Sequence, residues 1–190
     1  MKSVYVITGA ASTGKTTIIN ELRKRGILCQ DELARPLITK LTEQKSSLVP
    51  WIDLNGFNNL LLDQYIKQHN TLTDQTQFLD RGIPDIIGYL SADNKPIHKK
   101  FYEATKKYRY NNNVFFTEPW QDIYHIDNER REPFSKNELI SNSIKKSYID
   151  AGYDVISVPK GTVKERVDFI LNLIPKDCLT LNHLFQIQRT

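Results

Sequence analysis

Residues 9–16 read Gly-Ala-Ala-Ser-Thr-Gly-Lys-Thr and fit the pattern G-x-x-x-x-G-K-[ST] at every fixed position. Each fixed residue type has a chemical reason to be there. Glycine at 9 and 14 opens backbone conformations closed to other residues. The N–H groups of Gly9, Ala10, Ala11, Ser12, Thr13 and Gly14 can then curl around one phosphate. A helix starting near Gly14 aims its N-terminal donors and positive dipole end at that phosphate. Lys15 supplies a mobile point charge between the β- and γ-phosphates. The Thr16 hydroxyl is a ligand for Mg²⁺, and Thr17 bonds another phosphate oxygen. The spacing predicts a site for a nucleoside triphosphate with Mg²⁺. ATP is the expected nucleotide, because the N-K-x-D element that reads guanine is missing: the N-K pair Asn94-Lys95 is followed by Pro96-Ile97.

Other polar residues fall where ligands bind in open α/β sheets, at the ends of predicted strands. Asp80 ends the run Gln77-Phe78-Leu79-Asp80. It can hold Mg²⁺ through water or accept a proton from an attacking hydroxyl. Arg81 beside it can fork onto an acceptor phosphate or carboxylate; the alternative is a capping aspartate with a solvated arginine. Glu32 and Arg35 follow the second strand and either bind an acceptor or pair on a helix surface. In Glu129-Arg130-Arg131-Glu132 two arginines can close over the triphosphate and neutralise charge developing on the transferred γ-phosphoryl group; the alternative is a solvated charged face. Trp120 and Tyr124 either stack on a ring or pack as hinge and core. The backbone around Pro159, in Val158-Pro159-Lys160-Gly161-Thr162, either lies against adenine or makes an ordinary turn.

The elements that must position these residues alternate. Strands are predicted at 4–7, 27–30, 77–80, 113–117 and 153–158. Helices are predicted at 14–25, 31–44 (interrupted near Pro36), 53–68, 84–90, 96–107, 135–151 and 162–173. Residues 120–134 are polar and irregular. This order implies an α/β fold: a five-stranded parallel sheet with helices on both faces. We expect one nucleotide-binding domain over residues 1–174, with a lid at about 120–134, and a tail at 175–190.

Composition agrees. The 190 residues suffice for one domain. With 39% hydrophobic and 25% charged residues the chain reads as globular, neither disordered nor fibrous. Cys29 and Cys178 lie far apart with no histidine at metal-ligand spacing, which argues against a zinc site. A net charge of +4 suits a protein that handles phosphates without implying nucleic acid. No apolar run approaches the roughly 20 residues a membrane span needs. The N-terminal apolar stretch is too short for a signal peptide, so a cytoplasmic protein is expected.

The ordered set of motifs resembles the AAA-like "predicted ATPase" family of small P-loop proteins, related to nucleoside and nucleotide kinases and to nicotinamide riboside kinase domains. The resemblance rests on residues 7–17, on Asp31-Glu32-Leu33-Ala34-Arg35 and on Phe78-Leu79-Asp80-Arg81-Gly82-Ile83-Pro84-Asp85. It continues through Glu118-Pro119-Trp120 with Ile123-Tyr124, Glu129-Arg130-Arg131-Glu132 with Phe134, and Val158-Pro159 with residues 165–170. It spans about residues 3 to 174. By this resemblance Asp80 and Arg81 help place metal and acceptor, and Arg130 and Arg131 come from an arginine-containing lid. Glu32 is similar to the acidic residue that contacts the acceptor hydroxyl. The loop interior Ala10-Ala11-Ser12-Thr13 departs from the small or Pro-Gly type frequent in the family, which changes fine contacts and leaves phosphate binding intact. The leading expectation is a Mg²⁺-dependent ATP phosphotransferase with an unknown small-molecule acceptor. The alternatives are an ATPase- or GTPase-type regulatory switch and a protein that binds nucleotide without turnover.

Overall fold

A strand buried on both faces calls for a near-continuous apolar run, and β1 (Val4–Thr8) has one from Val4 to Ile7 before ending on the buried Thr8. A computed structural model describes residues 3–124 and 134–178. Tyr5 and Ile7 point to one face of the sheet. There they meet Ile18, Ile19 and Leu22 of α1 (Lys15–Lys24) and Val167 and Ile170 of α7 (Val163–Asn172). Val4 and Val6 point to the other face, against Ile144 and Tyr148 of α6 (Phe134–Asp150). A further apolar cluster joins α2 (Ala34–Glu43), α3 (Leu54–Asn70), α4 (Ile83–Ala92) and α5 (Lys99–Lys107) through Leu37, Leu41, Phe57, Leu61, Ile83, Ile86 and Phe101.

The remaining strands are β2 (Leu28–Gln30), β3 (Gln77–Asp80), β4 (Asn113–Thr117) and β5 (Asp154–Val158). Among the described residues all five strands are parallel, in the order β2-β3-β1-β4-β5. The neighbours β1 and β3 send their helices to opposite faces: α1 packs on α7, whereas α4 packs on α6. Their C-terminal ends therefore open a crevice of the kind that binds ligands in such sheets. The register sets Ile7 beside Asp80, and the Arg81 amide donates to the Ile7 carbonyl at 2.9 Å.

The expected helices are present with two differences. Pro36 does not interrupt α2, because the helix starts at Ala34. That puts the proline in the first turn, where a missing N–H breaks no bond. The helix expected from Pro96 starts at Lys99, because His98 is still extended. Past α7, Ile174 is buried, and the Cys178 carbonyl accepts from Thr76 Oγ1 at 2.5 Å. No helix among the described residues is long and apolar enough to cross a membrane.

Candidate active site

Between β1 and α1 the backbone takes the conformations that the motif requires. Gly9 has φ 142°, and a Cβ there would stand 2.3 Å from the Thr117 carbonyl oxygen. Gly14 has φ 81° and heads α1 without a side-chain cap. The first-turn N–H groups of α1 thus have neither intrahelical partner nor acidic side chain, which makes this helix end a place for an anion. Thr16 and Thr17 stand exposed beside it. Ser12, with φ 55°, completes the turn.

The loop is braced from three elements. The Thr13 and Thr117 hydroxyls lie 2.6 Å apart, and Thr117 Oγ1 donates to the Thr8 carbonyl at 3.0 Å. Asn137 of α6 donates Nδ2–H to the Ala11 carbonyl at 3.2 Å. Arg166 of α7 donates Nη2–H to the Thr13 carbonyl at 3.0 Å. Lys15 is folded back over the loop, its Nζ donating to the Ala10 carbonyl at 2.5 Å and to Thr13 Oγ1 at 3.3 Å. Burial, and then the Arg81 cation, lower its pKa to about 7 against the opposing pull of Asp80, Glu32 and Asp85.

Across the crevice lies a cluster of carboxylates around one arginine. Arg81 is a non-glycine residue at φ 75°, a conformation that costs of order 1–3 kcal/mol and persists only where its surroundings enforce it. Its Nε donates to Glu32 Oε1 at 3.0 Å, and its Nη1 donates to the Gly9 carbonyl at 2.9 Å and to Asp85 Oδ1 at 3.0 Å. Asp85 also accepts from Thr8 Oγ1 at 2.6 Å, the Tyr148 hydroxyl at 2.6 Å and the Gly82 amide at 2.9 Å. It is the hub that ties β1, β3, α4 and α6 together.

Asp80 differs from both neighbours. It is buried, and its Oδ1 has no hydrogen-bond partner among the described residues. Burial raises its pKa, although Lys15 and Arg81 pull the other way. For Glu32 burial also pushes upward, but Arg81, Lys15 and Arg35 outweigh it and leave the pKa lowered. Of these two carboxylates, Glu32 is favoured in its ionised form and Asp80 is the one for which the charge is costly.

The structure brings Lys15, Asp80, Arg81 and Glu32 to one crevice. Arg81 is neither solvated nor open on all sides, since protein acceptors hold its guanidinium. Arg35 stands exposed on the first turn of α2, near enough to influence Glu32. Pro159 is exposed in the turn from β5 to α7. Arg130 and Arg131 lie outside the described residues. At the flanks of that segment the Tyr124 and Phe134 rings meet edge to face, 5.3 Å between centroids. The Trp120 Nε1–H donates to Asp122 at 2.9 Å.

Four positioning residues escaped sequence reasoning: Asp85, Thr117, Asn137 and Arg166. Two left signals. Asp85 is one turn from Arg81, and Arg166 is a charge on the apolar face made by Val167 and Ile170. Nothing in the sequence marks Thr117 or Asn137.

A family model described as an AAA domain matches residues 4–166. No curated protein matches. Among solved structures the chain superposes on thymidylate kinase from Candida albicans with a TM-score of 0.64 at 16% identity, over 96% of this chain and 93% of that one. For deoxyadenosine kinase from M. mycoides, solved with dCMP and dCDP bound, the TM-score is 0.60 at 16% identity, over 89% and 96%. For shikimate kinase from Acinetobacter baumannii in complex with shikimate it is 0.53 at 14% identity, over 90% of both chains. At such identities the likeness is one of fold. It is the P-loop kinase architecture, an all-parallel five-stranded sheet with helices on both faces, as the resemblance implies.

Proposed function

The chain belongs to the AAA domain family, and from that premise we propose that it is an ATP-dependent phosphotransferase acting on a small nucleoside- or nucleotide-like acceptor. The observation that carries the reading is Asp80: a buried carboxylate, one oxygen unpartnered among the described residues, at the strand end facing the phosphate loop. A buried carboxylate without a partner is expensive, and structures keep one where something else will engage it.

Mg²⁺ fits that requirement. Thr16, exposed at the head of α1, and Asp80 would hold it, and a bound cation would neutralise phosphate charge. Lys15, once released from the Ala10 carbonyl, is long enough to reach phosphate instead. The acceptor enters over Glu32, Arg35 and Arg81. Glu32 is held in place by Arg81 and stays ionised, so it suits a hydroxyl donor on the acceptor. Burial raises the Asp80 pKa above the usual carboxylate range, which makes this carboxylate a better proton acceptor than an exposed one. The deoxyadenosine and thymidylate kinases of the same fold support this class of acceptor. The Arg130 and Arg131 pair would add positive charge in the transition state.

The test is to incubate the protein with labelled ATP, Mg²⁺ and a pool of nucleosides, nucleotides and related metabolites. A new labelled phosphoester, with slow release of phosphate when no acceptor is present, is the expected result. Release of phosphate at a rate of order one per second without any acceptor identifies a nucleotide-hydrolysing switch instead.

A further inference from the structure

Arg166 sits on the apolar face of α7 and is only 4% exposed. Its Nη2 donates to the Thr13 carbonyl, and its Nη1 is 2.5 Å from where a Cβ on Gly14 would stand. Its Nε is buried without a hydrogen-bond partner among the described residues. Three other arginines have acids: Arg23 has Asp31, Arg25 has Glu21 and Asp168, and Arg81 has Glu32 and Asp85, whereas the half-buried Arg109 donates to the Ala151 and Gly152 carbonyls and lies over the Tyr153 ring. Arg166 has none among the described residues, and burial alone pushes its pKa down.

A buried cation without a counter-charge is strongly unfavourable. The location makes matters worse, because the guanidinium lies at the head of α1, the positive end of that helix dipole. Bracing the Thr13 carbonyl does not require a charge, since a neutral amide donates equally well. What explains a full positive charge is an anion arriving from the other side of the loop. We infer that Arg166 is an electrostatic positioning residue of the phosphate loop. It holds Thr13 and Gly14 from beneath and supplies from α7 a positive charge that the phosphates of a bound nucleotide compensate. This inference rests on the phosphate-binding reading of residues 9–16. It adds a cation that lies outside that motif and outside the run 129–132.

Nucleotide binding by calorimetry and melting of the ligand-free protein test it, on wild type, Arg166→Gln, Arg166→Lys and, as a control, Lys15→Ala. Arg166→Gln removes the charge and leaves a neutral amide donor, two bonds shorter than the guanidinium, on the Thr13 side. It should melt at or above the wild-type temperature without ligand, yet bind ATP and ADP about tenfold more weakly. AMP, which lacks the β-phosphate, should lose less than about threefold. Arg166→Lys should recover part of the loss. A merely structural role gives the opposite pattern, lower melting in both variants with affinity falling in parallel, and overturns the inference. So does wild-type ATP affinity in Arg166→Gln when Lys15→Ala has lost it. If Arg166→Gln fails to fold, Arg166→Lys decides: near-wild-type ATP affinity supports the charge, and lost affinity in a folded protein refutes it. If Lys15→Ala also binds ATP normally, the phosphate-site reading itself falls.

Discussion

Glu32 and Arg81 stand 49 residues apart in the chain and form one ion pair, Nε to Oε1 at 3.0 Å. The arginine side chain is 6% exposed and the glutamate 24%. The second residue after β2 and the first after β3 thus belong to a single unit, which Asp85 and the Gly9 carbonyl complete from the other side. The charges that hold Glu32 are therefore the same ones that support the Gly9 carbonyl of the loop.

Arg81→Ala should cost about 3–5 kcal/mol of stability, because it strands Glu32 and the buried Asp85 without their cation. Glu32→Gln should cost much less, since the site is part-exposed and an amide oxygen still accepts from Nε. Urea denaturation of the two variants measures both. A loss below about 1 kcal/mol for Arg81→Ala would mean that the cluster does not depend on the arginine.

Lys15→Ala should abolish ATP binding and leave the fold intact. The pH dependence carries more information. The folded pKa of about 7 lies below the unfolded value of 10.5. Between these values the unfolded chain binds more protons, so the stability linked to Lys15 falls as pH drops from 10.5 towards 7. Phosphate restores the charge, so ATP binding at pH 8 should take up a proton and weaken as pH rises above 7. Calorimetry in two buffers of different ionisation enthalpy measures the uptake. None at pH 8 would contradict the assignment of Lys15 to the phosphates.

Asp80→Asn should nearly eliminate phosphoryl transfer while sparing ATP binding. Metal affinity must be measured alongside, because an amide holds Mg²⁺ less well. Its folded pKa lies above the unfolded 3.8, so the stability linked to Asp80 is complete below that pH and is lost as pH rises through the folded value. At pH 7 the asparagine variant should therefore melt no lower than wild type. A clear fall in melting temperature would make Asp80 a structural residue.

Arg130→Ala or Arg131→Ala should raise the barrier to turnover by on the order of 3 kcal/mol and reduce ATP affinity far less. Steady-state kinetics with binding measured separately distinguishes the two. Equal losses would make these arginines ordinary binding residues, and no loss would return them to a solvated face.

The phosphate loop was legible in the sequence because it is local. Its residues are consecutive, and glycine, lysine and threonine at those spacings have few other uses between a buried strand and an amphipathic helix. Strand β1 was legible because burial on both faces leaves an unbroken apolar run, and Pro36 was misjudged only by where its helix began. What the tertiary structure alone decided is which charges meet. Arg81 finds Glu32 across 49 residues, and Arg166 finds Thr13 across 153. Those meetings follow from the strand order β2-β3-β1-β4-β5 and from helices leaving β1 and β3 to opposite faces. A pattern of strands and helices does not encode that order, because period and propensity report each element's own burial and not its neighbour. Neighbours set the desolvation and the fields, so the pKa of Lys15, the buried carboxylate of Asp80 and the buried charge of Arg166 exist only in the folded chain.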